Sequence, residues 1–359
     1  MDVKDILRKL ISFDTVSDKE NLKIMEYAKN YLESLKFSCE LLGDDKKILV
    51  AKYGENPILG FMGHTDTVSP RPTFGSNPFE LVEKDGNLYG LGVCDMKGGI
   101  AAFLSALSKV DLDKLKYGLM VILTYDEEID FGGINYFLSQ KIDYPKYIII
   151  GEPTDNVVMN GSKGAIAYNF EFFGKSTHSS MPEESSNTNC VNFLHELLKL
   201  DKYFHKRWCD DYEFKHTTMN FGIIKGGERI NVVSDYTMAT CDFRVTKDIN
   251  EYKYIKKYVD RVSKKYNMKY KIILDVLPFY NDDSELMKYY EEVTGKKIKK
   301  FFGLSEASFI EHNRVLLGPG PVTAHEDKEH ISEKSLYETV EIYTKIINKL
   351  CEEKKKWMV

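Results

Sequence analysis

The stretch ILGFMGHTDTV, residues 58–68, joins an apolar run to a histidine and an aspartate. The run ILGFMG has the length and composition of a buried strand. His64 and Asp66 follow it at once, two positions apart. In open α/β sheets, ligands and catalytic groups collect at the carboxyl ends of the strands. The stretch therefore predicts a buried strand that delivers His64 and Asp66 to a functional edge.

The sequence around this stretch alternates helical patterns with short apolar runs up to about residue 160. The helical patterns are KENLKIMEYAKNYLESL (19–35) and GGIAAFLSALSKV (98–110), and the apolar runs are KILVAKY (47–53), LMVILTY (119–125) and YIIIG (147–151). This alternation is typical of an α/β domain with a mostly parallel sheet between helices.

A different pattern begins near residue 163. Longer alternating runs predict strands at KGAIAYNFEFFGK (163–175), TMNFGIIKGG (218–227), YTMATCDFRV (236–245) and KYKIILDVL (269–277). Helical segments near 188–200 and 250–264 separate them. We therefore expect an α+β domain with an antiparallel sheet at 163–277, inserted into an α/β catalytic domain formed by 1–162 and 278–359.

Bulk composition limits the kinds of partner. The chain has 359 residues, and its 50 basic and 55 acidic side chains give a net charge of −5, so we expect no nucleic-acid binding. The six cysteines form no CxxC pair, which favours reduced thiols in a cytoplasm. The N-terminal segment MDVKDILRKLIS is too charged for a signal peptide, and no apolar run reaches the ~18 residues of a membrane span. A cytoplasmic protein with small-molecule partners is expected.

Polar residues follow the other apolar runs as well. Asp126, Glu127 and Glu128 follow LMVILTY, Glu152 follows YIIIG, His325 follows VLLGPGPVTA, and Asp95 lies in the glycine-rich segment YGLGVCDMKGG. Taken singly, each residue fits a structural role such as a helix cap or a solvated turn. Taken together, the carboxylates would repel one another at one edge of a sheet, and bound cations relieve that repulsion.

The types of ligand restrict the metal. Imidazole and carboxylate groups without thiolate suit zinc, manganese or cobalt. Five such groups are too many for one tetrahedral ion and enough for two ions that share a carboxylate. Adjacent glutamates point to opposite sides, so one can bind metal while the other accepts a proton from water.

Five segments in this order resemble the aminoacylase and carboxypeptidase type of co-catalytic metallohydrolase. They are GHTDTV (63–68), YGLGVCDMKGG (89–99), TYDEE (124–128), GEPT (151–154) and GPGPVTAH (318–325). The resemblance spans nearly the whole chain. It implies two divalent metal ions per chain, zinc first and cobalt or manganese as alternatives.

The resemblance also implies a role for each matched residue. His64 and Glu152 would hold one metal and Glu128 and His325 the other, with Asp95 as the bridge. Glu127 would be the general base and later the proton donor. Asp66 would hydrogen-bond the far nitrogen of His64 and so fix its orientation. A cis peptide between Asp95 and Met96 is implied too.

The inserted domain resembles the lid and dimerisation domain of the same family. GKSTHSSMP (174–182) contains His178, which would reach across a homodimer to stabilise the tetrahedral oxyanion. INVV (230–233) and CDFR (241–244) contain Asn231 and Arg244, which would contact the substrate's polar groups and carboxylate. Arg244 has a structural alternative, an ion pair with Asp242.

The reaction implied is removal of a short acyl group from an N-acyl amino acid, with N-acetylornithine as the first choice of substrate. Glu306, in the segment SEAS (305–308), would face the free δ-ammonium of that substrate. N-succinyl-diaminopimelate and di- or tripeptides are the alternatives on the same scaffold. A non-catalytic ligand-binding descendant is the alternative of a different class, but all six metal and base positions are intact.

Overall fold

The computed structural model describes residues 1–75, 77–181, 183–210, 215–311 and 313–352. The chain divides into two compact units. The first unit comprises Met1–Asn160, Asn281–Phe301 and the described residues from Ser305 onward. The second comprises Gly161–Tyr280 with Phe302–Leu304.

The α-helices within the described residues are α1 (Val3–Ile11), α2 (Leu22–Ser34), α3 (Gly98–Leu107), α4 (Gly132–Ser139), α5 (Ser186–Phe204), α6 (Ile249–Ser263), α7 (Ser284–Thr294) and α8 (Glu333–Glu352). A π-helical segment spans Val93–Lys97, and short 3-10 helices span Leu112–Lys114 and Glu306–Ser308. The strands are β1 (Ser38–Leu42), β2 (Ile48–Tyr53), β3 (Pro57–His64), β4 (Val82–Lys84), β5 (Asn87–Tyr89), β6 (Gly118–Thr124), β7 (Tyr147–Ile150), β8 (Met159–Ser162), β9 (Gly164–Phe173), β10 (Thr218–Gly226), β11 (Tyr236–Val245), β12 (Met268–Val276), β13 (Phe279–Tyr280), β14 (Lys299–Phe301), β15 (Asn313–Leu316) and β16 (His330–Ser332).

The main sheet of the first unit has a parallel centre. Strands β6, β3, β7 and β15 lie side by side in that order, and each pairs in parallel with its neighbour. Strands β2 and β1 extend the sheet beyond β6 in antiparallel pairing. Every residue of β6 and β7 is buried, as expected of parallel strands covered on both faces. The α/β class with a mostly parallel sheet is confirmed.

Helix α3 lies in the core of this unit, and all ten of its residues are buried. It packs against α1 and α8. A Cβ atom on Gly99 would lie 2.0 Å from the carbonyl oxygen of Gly151, so only glycine allows the first turn of α3 to approach the end of β7 this closely. The approach places the turn that precedes α3 beside the carboxyl end of the sheet.

A small antiparallel sheet in the first unit joins distant parts of the sequence. Its strand order is β16, β5 and β4. Strand β5 precedes the glycine-rich turn, and β16 follows the loop that contains His325. In their register His330 lies opposite Tyr89, and the two rings stack with centroids 5.1 Å apart.

The second unit is a four-stranded antiparallel sheet in the order β10, β11, β9 and β12. Buried positions alternate along β9 and β11, which is the pattern of a sheet with one face covered. Helix α5 packs on β9 and β11 and contacts α6. Aromatic side chains fill the core, with the rings of Phe170 and Phe193 4.7 Å apart.

No helix within the described ranges offers an apolar stretch long enough to cross a membrane.

Candidate metal centre

The parallel strands of the first unit end where the candidate ligands begin. His64 is the last residue of β3. Glu127 and Glu128 follow β6, and Glu152 follows β7 after one intervening glycine. His325 lies in the loop between β15 and β16. Because parallel strands share one carboxyl edge, these side chains gather from distant parts of the sequence.

The first group of candidate ligands is His64, Asp95 and Glu152, whose ligand atoms lie within 4.8 Å of one another. His64 is fully buried, and its Nε2 lies 3.1 Å from Oδ1 of Asp95. Glu152 is buried as well, and its Oε1 has no hydrogen-bond partner among the described residues. A buried carboxylate oxygen without a donor is costly, and a bound cation would satisfy it.

The second group is Asp95, Glu128 and His325, also with ligand atoms within 4.8 Å of one another. Nε2 of His325 lies 3.0 Å from Oε1 of Glu128 and 3.6 Å from Oδ2 of Asp95. Asp95 therefore turns one oxygen toward each histidine, which is the arrangement of a bridging carboxylate. The peptide bond between Asp95 and Met96 is cis, so that prediction is confirmed.

The charges of the centre favour a cation. Burial raises the pKa of Glu152 well above its usual value, and the neighbouring carboxylates of Asp95 and Glu127 raise it further. Burial alone would lower the pKa of His64, but Asp66 and Asp95 outweigh it and raise that pKa well above 6.5. Burial is the main cause of the shift of Glu152, and the surrounding carboxylates contribute to the shifts of both residues. The donor set and the unpaired oxygen of Glu152 thus fit divalent ions.

Asp66 orients three groups of the centre. Nδ1 of His64 lies 3.1 Å from the main-chain oxygen of Asp66 and 3.4 Å from its carboxylate Oδ1. The backbone N–H groups of Glu127 and Glu128 donate to the same carboxylate, each at 3.3 Å, and Ser17 Oγ donates to it at 2.8 Å. Burial would raise the pKa of Asp66, but the hydrogen bonds to His64 and Ser17 lower it. The residue that supports the first histidine thus also positions both glutamates.

Two further carboxyl groups line the centre. Glu127 as a whole residue is half-buried, but its carboxyl group is desolvated. This desolvation and the neighbouring carboxylates raise its pKa well above 4.5, against the opposing effect of His64. Glu306 is fully buried, and its Oε1 accepts a hydrogen bond from Thr124 Oγ1 at 2.5 Å. Burial raises the pKa of Glu306 to about 7. Its Oε2 has no hydrogen-bond partner among the described residues.

Two buried charged side chains of this region, Lys97 and Glu329, were not predicted from the sequence. The carboxylate of Glu329 accepts hydrogen bonds from the backbone of the turn that contains Asp95. Lys97 Nζ donates to the main-chain oxygen of Phe13 at 3.0 Å, and burial lowers its pKa to about 8. Lys97 could have been recognised from the sequence, because it lies only two residues after the candidate ligand Asp95. Glu329 ends the charged run EDKE, which is typical of a solvated turn.

Three predicted site residues lie in the second unit. His178 is exposed, and its Nδ1 lies 2.8 Å from Ser180 Oγ. The N–H of Ser179 donates to the main-chain oxygen of Asn231 at 3.0 Å, so the segments of His178 and Asn231 are adjacent. Arg244 Nε donates to Asp242 Oδ2 at 2.8 Å, which is the structural pairing considered for it.

Comparison with known proteins identifies the family. Residues 60–349 match the pattern of the family described as Peptidase family M20/M25/M40. The chain belongs to this family. The predicted resemblance to co-catalytic metallohydrolases is therefore confirmed. An acetylornithine deacetylase of Pasteurella multocida is 32% identical, over 95% of this chain and 94% of its own. One of Buchnera aphidicola is 28% identical, over 97% of each chain.

Solved structures with the same fold are more distant in sequence. A tripeptidase of Staphylococcus aureus has a TM-score of 0.81 at 20% identity, over 98% of both chains. A dinuclear metal-binding peptidase of Bacillus subtilis has a TM-score of 0.69 at 13% identity, again over 98% of both. Membership of the family makes the chain a metal-dependent hydrolase that acts on amide bonds.

We expect the wild-type protein, reconstituted with zinc, to bind about two ions per chain and Asp95→Ala to lose both together, because Asp95 faces both groups of ligands. Glu152→Gln should lose only one. Elemental analysis after dialysis measures the metal content. Asp111→Ala changes an exposed aspartate and should bind as the wild type does. Two tightly bound ions in Asp95→Ala would show that Asp95 is not the bridge.

Proposed function

We propose that this chain is a dinuclear amidohydrolase that removes the acetyl group from N-acetylornithine in the cytoplasm, with zinc as the first choice of metal and cobalt or manganese as alternatives. The observation that carries the proposal is Asp95, whose two oxygens face His64 and His325 separately. The 32% identical relative, which is named an acetylornithine deacetylase and aligns over nearly its full length, supports the substrate.

In the proposed reaction Glu127 handles the proton. The two ions, when bound by the ligand groups around Asp95, supply Lewis acidity toward the substrate carbonyl and acidify water at neutral pH. Glu127 accepts a proton from the water that attacks the carbonyl carbon and passes it to the departing amine, so that acetate and the free amine leave. The backbone of Glu127 is held by the carboxylate of Asp66, which keeps the base in position.

Charge in the centre favours a cationic substrate. Even without Glu306, the five carboxylates of Asp66, Asp95, Glu127, Glu128 and Glu152 outnumber the four positive charges that two divalent ions would bring. An acyl group that ends in a carboxylate would add negative charge and need a cationic partner of its own. An acetyl group is neutral, and the δ-ammonium of ornithine is positive. This difference supports N-acetylornithine over the succinylated alternative.

Glu306 is the proposed partner of the δ-ammonium. Its Oε1 is held by Thr124 at the end of β6, whereas Oε2 has no partner among the described residues. An ammonium group would supply the donor that this buried oxygen lacks.

The second unit would contribute groups that recognise the substrate. The N–H of Ser180 lies 3.3 Å from Nδ1 of His178, and Ser180 Oγ lies 2.8 Å from the same nitrogen; with Nδ1 as the acceptor, the proton of the neutral ring is on Nε2. The Nε2–H group is then free to donate to an oxyanion, and we assign this role to His178 within a homodimer. We assign Asn231 and Arg244 to the polar groups and the α-carboxylate of the substrate. These two assignments are supported by the resemblance of the segments INVV and CDFR to the corresponding segments of the family.

Glu127→Gln should leave metal binding nearly intact and lower kcat by about 10²- to 10⁴-fold, the usual contribution of a general acid-base group. Glu128→Gln, its neighbour of the same chemistry, should weaken binding of one ion because its oxygen lies 3.0 Å from His325. Titration with zinc and steady-state kinetics on both variants check this. If the two phenotypes were exchanged, the roles of the adjacent glutamates would have to be exchanged too.

His178→Ala should lower kcat much more than it raises KM, because a donor to the developing oxyanion acts mainly in the transition state. Mixed dimers of His178→Ala with Glu127→Gln should regain one working site if the histidine acts across the dimer. His205→Ala is a control at another exposed histidine and should keep wild-type kinetics. A confirmed mixed dimer without activity would place any role of His178 within its own chain.

The wild type should have a higher kcat/KM for N-acetylornithine than for N-acetylmethionine or N-succinyl-diaminopimelate. Glu306→Gln should reduce the value for N-acetylornithine selectively, by about 10-fold or more, since a charge-assisted hydrogen bond is lost. Kinetics on the three substrates with both proteins measure the selectivity. Equal losses on the cationic and neutral acetyl substrates, or a wild-type preference for the succinylated one, would refute the assignment.

A further inference from the structure

The turn that presents Asp95 is held by the carboxylate of a distant residue, Glu329. Oε2 of Glu329 accepts a hydrogen bond from the N–H of Gly92 at 2.8 Å. Oε1 accepts from the N–H of Cys94 at 2.8 Å and from the N–H of Asp95 at 3.1 Å. Both oxygens are thus used, and one bond goes to the backbone of Asp95 itself.

Because Glu329 is buried, water cannot readily take its place as the acceptor of these three hydrogen bonds. Glu329 is only 3% exposed. A buried backbone N–H group that loses its acceptor is costly, because water cannot reach it to replace the hydrogen bond. Without the carboxylate, three backbone N–H groups of one short turn would lose their acceptor together. The turn could satisfy them only by rotating its peptide groups, and rotation would move the carboxylate of Asp95.

Hydrogen bonds also connect the turn of Asp95 to the loop that contains His325. Glu329 lies four residues after His325. Cys94, which precedes Asp95, accepts a hydrogen bond at Sγ from the N–H of Thr323 at 3.3 Å. Thr323 Oγ1 in turn donates to the main-chain oxygen of His330 at 2.7 Å and closes the loop. The turn of Asp95 and the loop of His325 therefore form one hydrogen-bonded assembly.

We propose that Glu329 is a positioning residue for the metal centre, which holds the Asp95 turn against the His325 loop so that Asp95 keeps one oxygen toward each group of ligands. This inference rests on the proposed dinuclear centre. The three hydrogen bonds of Glu329 described above go to backbone N–H groups, so it acts through the backbone of Asp95. Groups that orient metal ligands typically contribute about 10- to 100-fold in metal affinity.

The loss of metal affinity that follows removal of the Glu329 carboxylate should affect the two ions in a characteristic way. Asp95 belongs to both groups of ligands, so displacing it weakens both ions together. Removal of a ligand that belongs to one group, such as Glu152, weakens one ion. A purely structural role of Glu329 would lower stability without changing the environment of a bound ion.

The test uses Glu329→Gln, which keeps the size of the side chain but places an amide NH₂ where a backbone N–H now donates. The matched control is Glu326→Gln, one residue after His325 and exposed. Zinc affinity is measured by competition with a chelating dye, and the ligand field by the absorption spectrum of the cobalt-loaded protein. For Glu329→Gln we expect both affinities to fall about 10- to 100-fold and the cobalt spectrum to change. The control should match the wild type in both measurements.

A folded Glu329→Gln protein with wild-type affinities and an unchanged cobalt spectrum would overturn the inference and leave the proposed function standing. If the glutamine variant does not fold, Glu329→Asp decides, because it keeps the charge and is one methylene too short for all three bonds. Unchanged affinities in Glu329→Asp would equally overturn the inference. A wild-type protein that binds no divalent ion would overturn the proposed dinuclear centre, and the role of Glu329 with it.

Discussion

The carboxylate of Asp95 must face two histidines at once, and the functional edge of the first unit depends on that constraint. His64 approaches one of its oxygens at 3.1 Å and His325 the other at 3.6 Å. Such an arrangement concentrates negative charge in a partly buried place, which proteins tolerate when cations or strong donors lie nearby. The parallel sheet supplies the rigid edge, and the close approach of α3 to β7 at Gly99 fixes the turn beside it. Rigid elements of this kind hold ligands more precisely than a free loop does.

The candidate ligands at the strand ends could be predicted from the sequence because the centre of the sheet is parallel. Apolar runs mark its buried strands, and the residue after each run lies at the shared carboxyl edge, so His64, Glu128 and Glu152 could be grouped from sequence alone. The antiparallel sheet of the second unit was equally visible, because apolar positions alternate along β9 and β11. The role of Glu329 was not visible in this way. An acidic residue within a charged run looks solvated, and only long-range packing places its carboxylate beneath three backbone N–H groups.

The burial of Glu306 was also beyond the sequence. The segment SEAS carries no sign that its glutamate would be fully buried and bonded to Thr124, 182 positions away along the chain. Substrate choice depends on such side chains, since the fold alone does not determine it. The tripeptidase of Staphylococcus aureus shares the fold at 20% identity. Its likeness therefore supports the architecture and leaves specificity to individual residues around the centre.

The spread of the ligands along the chain has a consequence for biosynthesis. During synthesis His64, Asp95 and Glu152 emerge early from the ribosome. All three residues of the first candidate group are therefore present once residue 152 has been synthesised. The second group waits for His325, and the support of the Asp95 turn waits for Glu329 four residues later. Between these events the cell must synthesise the whole second unit, residues 161–280 and 302–304. The candidate centre and its support therefore remain incomplete until residue 329 has been synthesised.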